Sequence, residues 1–332
     1  MSGPMRVLLT GAAGFIGSSV ADRLLARGDD VVGVDNFNTF YDPRVKEANV
    51  REVLAAKHPG ALRLERLDIV HDHAAIEALF ADPATRPDAI CHLAAWAGVR
   101  PSIQRPLLYE EVNVRGTTQL LELARKYDVR PFVFASSSSV YGARTTVPFR
   151  ETDPVDDPVS PYAATKKCGE LLGYTYHHLF GTRFIGLRFF TVYGPRQRPE
   201  MAIHLFARKI LEGKPVTVYG DGSSSRDYTF IDDCVSGVVA SIDRAARVDG
   251  YRIYNLGCSA TTSLSELVEH IARAAGKAPI LDRQPDQPGD VPRTFADVSR
   301  AEAELGYRPT TPVAVGIPRF VEWLRARMAA EG

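Results

Sequence analysis

Tyr162 and Lys166 stand four residues apart in the segment Ser160-Pro-Tyr-Ala-Ala-Thr-Lys166. Pro161 suits the first turn of a helix and Ser160 can cap it, so phenol and ammonium should stack on one helix face. A cation beside a phenol lowers its pKa and brings tyrosinate within reach nearer neutral pH. Serines 136 to 139 follow the apolar run Pro131-Phe-Val-Phe-Ala135. Serine, tyrosine and lysine could thus surround one alcohol or carbonyl and exchange its proton. An ordinary solvated Tyr/Lys pair is the alternative, and the surrounding elements decide between the two.

Those elements begin with Arg6-Val-Leu-Leu-Thr10, a short apolar run ending on Gly11-Ala-Ala-Gly-Phe-Ile-Gly17. From Ser18 to Arg27 the apolar residues Val20, Leu24 and Leu25 recur at helical spacing. Val31 to Val34 reads as a second buried strand, and Asp35 follows it. Strand, glycine turn, helix, strand and acid in this order suit a dinucleotide. Gly11 permits the tight turn, Gly14 lets the backbone approach a pyrophosphate, and Gly17 allows close helix–strand packing. The helix amino terminus offers free N–H donors to the phosphates. Asp35 can accept from ribose hydroxyls, which favours NAD over NADP. The first two glycines stand further apart than in the standard fingerprint, and glycines alone would mean no more than a tight turn.

Further strands are expected at Leu62–Leu67, Ala89–Leu93, Pro131–Ala135 and Phe184–Phe190. Helices are expected at Ala74–Phe80, Leu107–Tyr127, Met201–Leu211 and Phe230–Ile242. Asn36 to Ala56 starts as a loop and continues as a helix, and Ser263-Leu-Ser-Glu266 has capping-box spacing. Apolar strands alternating with helices predict an α/β fold: a Rossmann-type doubly wound parallel sheet with a smaller mixed α/β lobe, which the resemblance given below makes the substrate-binding one. Residues 1–190 are assigned mainly to the NAD-binding domain. Residues 191–332 form mainly the substrate lobe, with some segments returning to the first domain.

Composition narrows the classes. The chain has 332 residues, 45% hydrophobic, with 40 basic and 40 acidic side chains. Zero formal charge argues against a large nucleic-acid surface, although one arginine cluster for an anionic ligand is invisible in such a sum. Cys91, Cys168, Cys234 and Cys258 are widely spaced, without metal-ligand spacing, and read as reduced thiols. His58, His71 and His73 lie in polar stretches, and His177-His178 lacks a matching acid, so no metal is expected. The start, Met-Ser-Gly-Pro-Met-Arg, has no signal-peptide profile, and no apolar run is long enough to span a membrane. A soluble, cytoplasmic protein is expected.

With these residues in hand, the chain resembles the extended branch of the short-chain dehydrogenase/reductase superfamily, in its nucleotide-sugar epimerase and dehydratase group. The resemblance runs from Val7 to about Trp323. It rests on Gly11-Ala-Ala-Gly-Phe-Ile-Gly17, Asp68-Ile69, His92-Leu-Ala-Ala95, Asn113-Val-Arg-Gly-Thr117, the serine run and Tyr162-Ala-Ala-Thr-Lys166. It implies that NAD is held by Gly11, Gly14, Phe15, Ile16, Gly17, Asp35, Asn36, Asp68, Ile69, Leu93, Ala94, Ala95, Asn113, Tyr162 and Lys166. It also implies that Tyr162 is the acid/base residue, that Lys166 binds the nicotinamide ribose, and that the catalytic serine is Ser137, counted back from Val140-Tyr141-Gly142. Ser138 and Ser139 stand close by as substrate contacts. Arg198, Arg226 and Arg293 are implied ligands of a nucleotide diphosphate sugar.

The finer resemblance is to the UDP-glucuronate 4-epimerase group. It is carried by Asn36-Phe-Asn-Thr-Phe-Tyr-Asp-Pro43, Ala97-Gly-Val-Arg-Pro-Ser102 and Thr191-Val-Tyr-Gly-Pro-Arg-Gln-Arg-Pro-Glu-Met201. Galactose-type epimerases usually have Asn-Pro where Thr191-Val192 stands. The resemblance implies reversible conversion of UDP-glucuronate to UDP-galacturonate through a 4-keto intermediate. Thr191 would reach the sugar, and the backbone of Gly98, Val99 and Arg100 would favour the carboxylate. It also implies a homodimer. The alternatives are another UDP-sugar 4-epimerase, a UDP-glucuronate decarboxylase, a 4,6-dehydratase lacking its usual Asp-Glu pair, and a silent NAD-binding scaffold.

Overall fold

A computed structural model describes residues 4–285 and 291–331. Residues 1–3, part of the start read above, and residue 332, the end of the carboxy-terminal assignment, lie outside the described residues. Seven strands form one all-parallel sheet: β1 (Arg6–Thr10), β2 (Asp30–Val34), β3 (Leu62–Glu65), β4 (Ala89–His92), β5 (Pro131–Ser137), β6 (Arg183–Phe189) and, from much later, β11 (Tyr251–Leu256). Their order is β11-β6-β5-β4-β1-β2-β3. The order reverses between β1 and β4, and ligands bind beyond the carboxyl ends of such strands.

Strand pleating explains the core. Val7, Leu9, Val31, Cys91, Val133 and Ile185 face one side, while Leu8, Val32, Ile90, Phe132, Phe134 and Phe184 face the other. Helices α1 (Phe15–Arg27) and α9 (Ile231–Arg247) supply residues to the first layer. α3 (His73–Ala81), α6 (Gly116–Lys126) and α7 (Pro161–Phe180) cover the second. Each fully buried Phe or Leu contributes roughly 1.5–3 kcal/mol of apolar transfer. α2 (Pro43–Ala55) packs beside α1 and turns Lys46, Asn49 and Val53 inward.

The glycines of α7 set its distance from the sheet. A Cβ on Gly169 would lie 2.3 Å from Phe134 Cζ, and one on Gly173 would lie 2.3 Å from Phe184 Cζ. The helix therefore seats two aromatic rings in a groove that other residues would fill. Ser160 Oγ accepts from the Ala163 N–H at 3.1 Å, and Pro161 occupies the first turn, as read from the sequence.

The expected helix Leu107–Tyr127 is instead broken into α5 (Pro106–Tyr109), a π-helical turn Glu110–Arg115, and α6. Asn113 explains the break. Its side chain bonds both backbone groups of Trp96 and the Thr165 hydroxyl on α7. A short helix, α4 (Val99–Gln104), precedes it.

The smaller lobe contains β7 (Thr191–Tyr193) with β10 (Tyr228–Phe230), β8 (Val216–Tyr219) with β13 (Leu281–Gln284), and β9 (Ser225–Arg226) with β12 (Thr262–Ser263). Helices α8 (Ala202–Glu212), α10 (Leu264–Ala275) and α12 (Val313–Glu331) pack there, and α11 (Ser299–Leu305) rests against α9. The capping box of Ser263 and Glu266 is present in full. Buried Asp227 gathers the N–H groups of Cys258, Ser259 and Ala296, pinning three chain segments around one carboxylate. All four cysteines are free thiols. Among the described residues no helix is long and apolar enough to cross a membrane.

Candidate active site

The main cleft opens along the carboxyl ends of the large sheet. It is lined at one end by Gly11, Gly14, Phe15, Ile16, Gly17 and Asp35, and at the other by Ser137, Tyr162, Lys166 and Arg198. The glycine turn has no room for side chains. A Cβ on Gly17 would sit 2.0 Å from the Gly11 oxygen, and one on Gly11 would sit 2.9 Å from the Ala94 nitrogen. Gly11 also has φ +71°, so the turn needs glycine twice over. The Ala13 peptide is clamped from both sides: its N–H donates to Asp35 at 3.2 Å, and its carbonyl accepts from Asn49 at 3.1 Å. Such a turn, opening α1 and followed by an acid at the end of β2, fits a dinucleotide pyrophosphate and ribose.

At the other end, Lys166 is buried and donates to the Ala135 carbonyl at 2.6 Å. Its Nζ lies 5.9 Å from the centre of the Tyr162 ring, so the two residues share a helix face as their spacing requires. Burial lowers the Lys166 ammonium to about 7. Tyr162 and Ser137 both line the cleft beside it.

The net shift of the phenol runs opposite to the one expected from a neighbouring cation. Burial raises Tyr162 above its ordinary value, opposed by the neighbouring Ser137 hydroxyl and the charge of Arg198. The walled cleft withdraws water from the phenolate, and that penalty outweighs the charge of Arg198. Ser137 accepts from the Ser139 N–H at 3.1 Å, which fixes its hydroxyl at the start of a 3₁₀ turn, Ser138–Tyr141.

Of the predicted cofactor residues, Asn36, Asp68, Ile69, Leu93, Ala94 and Ala95 join the glycine turn and Asp35 in lining the cleft. Asn113 does not. It lies buried behind the wall, holding Trp96 against α7. Among the predicted substrate residues, Ser137, Tyr162 and Arg198 line the cleft, while Gly98, Val99, Arg100, Ser138, Ser139, Thr191, Arg226 and Arg293 lie outside its lining.

Several of these outer residues are nonetheless grouped. Arg226 in β9 and Arg293 are neighbours, because Ser225 bridges to Arg293. Arg100 lies 6.0 Å over the Tyr219 ring, joining α4 to β8 of the smaller lobe. Thr191 opens β7 and donates its N–H to Asp227.

The structure adds residues that sequence reading missed. Phe40 meets Trp96 edge-on at 5.1 Å and lies under the Arg198 guanidinium at 5.1 Å. Tyr109 meets the Tyr162 ring edge-on at 6.2 Å. Lys46 forms a buried ion pair with Asp35 at 3.0 Å. The recurrence of Lys46, Asn49 and Val53 along one helical face was the available signal.

Residues 7–257 match the sequence profile of the NAD dependent epimerase/dehydratase family. The chain belongs to that family. It is 42% identical over 339 residues to UDP-glucuronate 4-epimerase 1 of Arabidopsis thaliana, covering 97% of this chain and 77% of the relative. The crystal structure of UDP-glucuronic acid 4-epimerase from Bacillus cereus with UDP-glucuronic acid and NAD is similar, with TM-score 0.88 and 35% identity over 97% of this chain and 100% of that one. So is the UDP-glucose 4-epimerase of Thermotoga maritima with UDP-glucose, with TM-score 0.86 and 31% identity over 98% of this chain and 100% of that one. The family and the fitted cleft make this an enzyme with NAD as its cofactor. NAD-dependent C4 epimerisation of a UDP-sugar is the class of reaction it serves.

Proposed function

We propose that the protein interconverts UDP-glucuronate and UDP-galacturonate through a 4-keto sugar. The observation that carries this reading is that Tyr162, Ser137 and Lys166 line one cleft together with the dinucleotide turn. Bound NAD supplies an acceptor, and later a donor, for the hydrogen on C4. Tyr162, starting the cycle as phenolate, takes the proton of the 4-hydroxyl and returns it to the ketone oxygen. Ser137 bonds that same oxygen at each of the two events and helps guide the proton. The Lys166 ammonium, anchored to the Ala135 carbonyl, holds positive charge beside the phenol ring and favours the tyrosinate with which the cycle starts and ends.

Inversion requires the keto sugar to show its opposite face before the hydrogen returns. Arg226 and Arg293, adjacent in the smaller lobe, would grip the diphosphate while the sugar turns. Arg198 would face the sugar from the cleft wall.

Glucuronate rather than glucose is supported by Thr191-Val192 in place of Asn-Pro, and by the names of the Arabidopsis and Bacillus relatives. A 4-keto uronate is a β-keto acid and can lose carbon dioxide. An epimerase must therefore hold its carboxylate near the carbonyl plane, where the breaking bond has no overlap with the π system. Contacts from the Thr191 segment would do this. We also infer a homodimer, supported by the exposed Leu171, Tyr174 and Leu179 on α7 and by Leu107 on α5.

The deciding experiment offers UDP-glucuronate, UDP-galacturonate, UDP-glucose and UDP-N-acetylglucosamine separately and counts 4-epimer, pentose nucleotide and carbon dioxide. Conversion of the two uronates alone, with little carbon dioxide, is expected. Stoichiometric decarboxylation, or preferred turnover of UDP-glucose, would overturn the reading.

A further inference from the structure

Asp35 does not stand alone at the end of β2. Its Oδ1 accepts from the Phe37 N–H at 2.8 Å and from the Lys46 ammonium at 3.0 Å, and its Oδ2 accepts from the Ala13 N–H. Lys46 and Asp35 side chains are only 7% and 4% exposed, and both line the cleft. The Lys46 ammonium also reaches Asn38 Oδ1 at 3.5 Å and lies 5.5 Å from the Tyr41 ring centre. An ammonium has three donors, and burial makes an unused one costly. The cleft side of Lys46 is where a ribose oxygen bonded to Asp35 would arrive.

This alters the usual consequence of an acid at this place. A lone carboxylate repels the 2′-phosphate of NADP. A carboxylate paired with a buried ammonium presents no net charge, and the ammonium can itself donate to a 2′-oxygen. We propose that Lys46 is a further cofactor-specificity residue: held by Asp35, Asn38 and Tyr41, its ammonium donates to the 2′-oxygen of the adenosine ribose and weakens discrimination against a 2′-phosphate. The proposal rests on NAD being the cofactor and extends it to a residue of α2.

The test uses the full-length chain, stripped of nucleotide, titrated with NAD and with NADP by calorimetry. In Lys46→Met the ratio of NADP to NAD dissociation constants should rise about tenfold or more, because Asp35 is left uncompensated. Lys46→Arg should keep the ratio within about threefold of the parent, and Asp35→Asn should lower it, since the cation then stands without the anion. If Lys46→Met and Lys46→Gln weaken both nucleotides equally, the ratio stays fixed. Lys46 is then a strut of α2, and the proposal falls. Parent protein that binds neither nucleotide would instead overturn the NAD assignment itself, and the proposal with it.

Discussion

The ammonium of Lys166 donates to the carbonyl of Ala135 at 2.6 Å, tying α7 to β5 two residues before Ser137. The bond places Tyr162 against the strand end, yet it is bought with a buried charge. The ammonium sits at about 7, below its ordinary 10.5, because burial disfavours the cation. With the folded value lowered, the cost of burial is full below pH 7 and fades as pH rises toward 10.5. Lys166→Met should lower turnover by at least ~100-fold while leaving the Tm at pH 7 equal to or above that of the parent. Steady-state kinetics paired with thermal melts checks both halves, and undiminished turnover would remove Lys166 from the reaction.

His92 makes the fold acid-sensitive. Its ring lies between Thr10 Oγ1 at 2.7 Å and Thr117 Oγ1 at 3.0 Å. Thr117 donates to the Asn113 carbonyl and so must accept from the ring, while Thr10 accepts from the Ala94 N–H and is left to donate to it. The network satisfies one neutral tautomer, and a second ring proton would displace the Thr10 donor bond. Burial lowers His92 to about 3, with the nearby Lys166 charge adding to it. Its stabilising contribution is therefore full above pH 6.5 and is lost by about 1.4 kcal/mol per pH unit on acidification toward 3.

Asp227 works in the opposite sense. Burial raises it to about 6, so its contribution falls as pH rises through the range between its ordinary 3.8 and that value. Urea melts of parent and His92→Asn cancel the Asp227 effect. The stability gap between the two proteins should narrow steadily as pH falls from 6.5 to 4. A gap independent of pH would mean that His92 is not buried neutral.

The glycine groove of α7 predicts steric coupling to the sheet. Gly169→Ala should cost roughly 1–3 kcal/mol, because its methyl meets the Phe134 ring within 2.3 Å. The double variant Gly169→Ala/Phe134→Leu should recover much of that loss. Additive costs in a denaturant cycle would argue against direct contact. Gly173→Ala should behave in the same way against Phe184.

Leu171 is 55% exposed and Tyr174 54% exposed on the outer face of α7. Leu171→Glu/Tyr174→Glu should convert the proposed dimer to monomer in sedimentation at micromolar concentration. A parent that sediments as monomer would dispose of the homodimer.

The nucleotide half was legible because its signals are local. Apolar runs, the glycine turn, the helix after it and Asp35 all fall within one short stretch, where periodicity and spacing suffice. Ser160, Pro161, Tyr162 and Lys166 were legible for the same reason. What escaped depends on distant partners. Gly169 and Gly173 read as ordinary helix residues until Phe134 and Phe184 are set beside them. Leu107–Tyr127 reads as one helix, because the hydrogen bonds that Asn113 makes to Trp96 and Thr165 lie outside any local window. The sign of the Tyr162 shift was missed because helix spacing displays the neighbouring cation and hides the lost water. Lys46 was passed over as one charge among many on α2.

Strand β11 joins the large sheet only after the chain has travelled through much of the smaller lobe, and it pairs with β6 along its whole length. A recombinant fragment ending near Phe190 would retain the glycine turn and Tyr162 yet leave β6 as a naked edge, a template for aggregation. The two lobes cannot be traded between relatives as cassettes. A chimera that imports a new sugar-binding half must also import, or refit, α9 and β11.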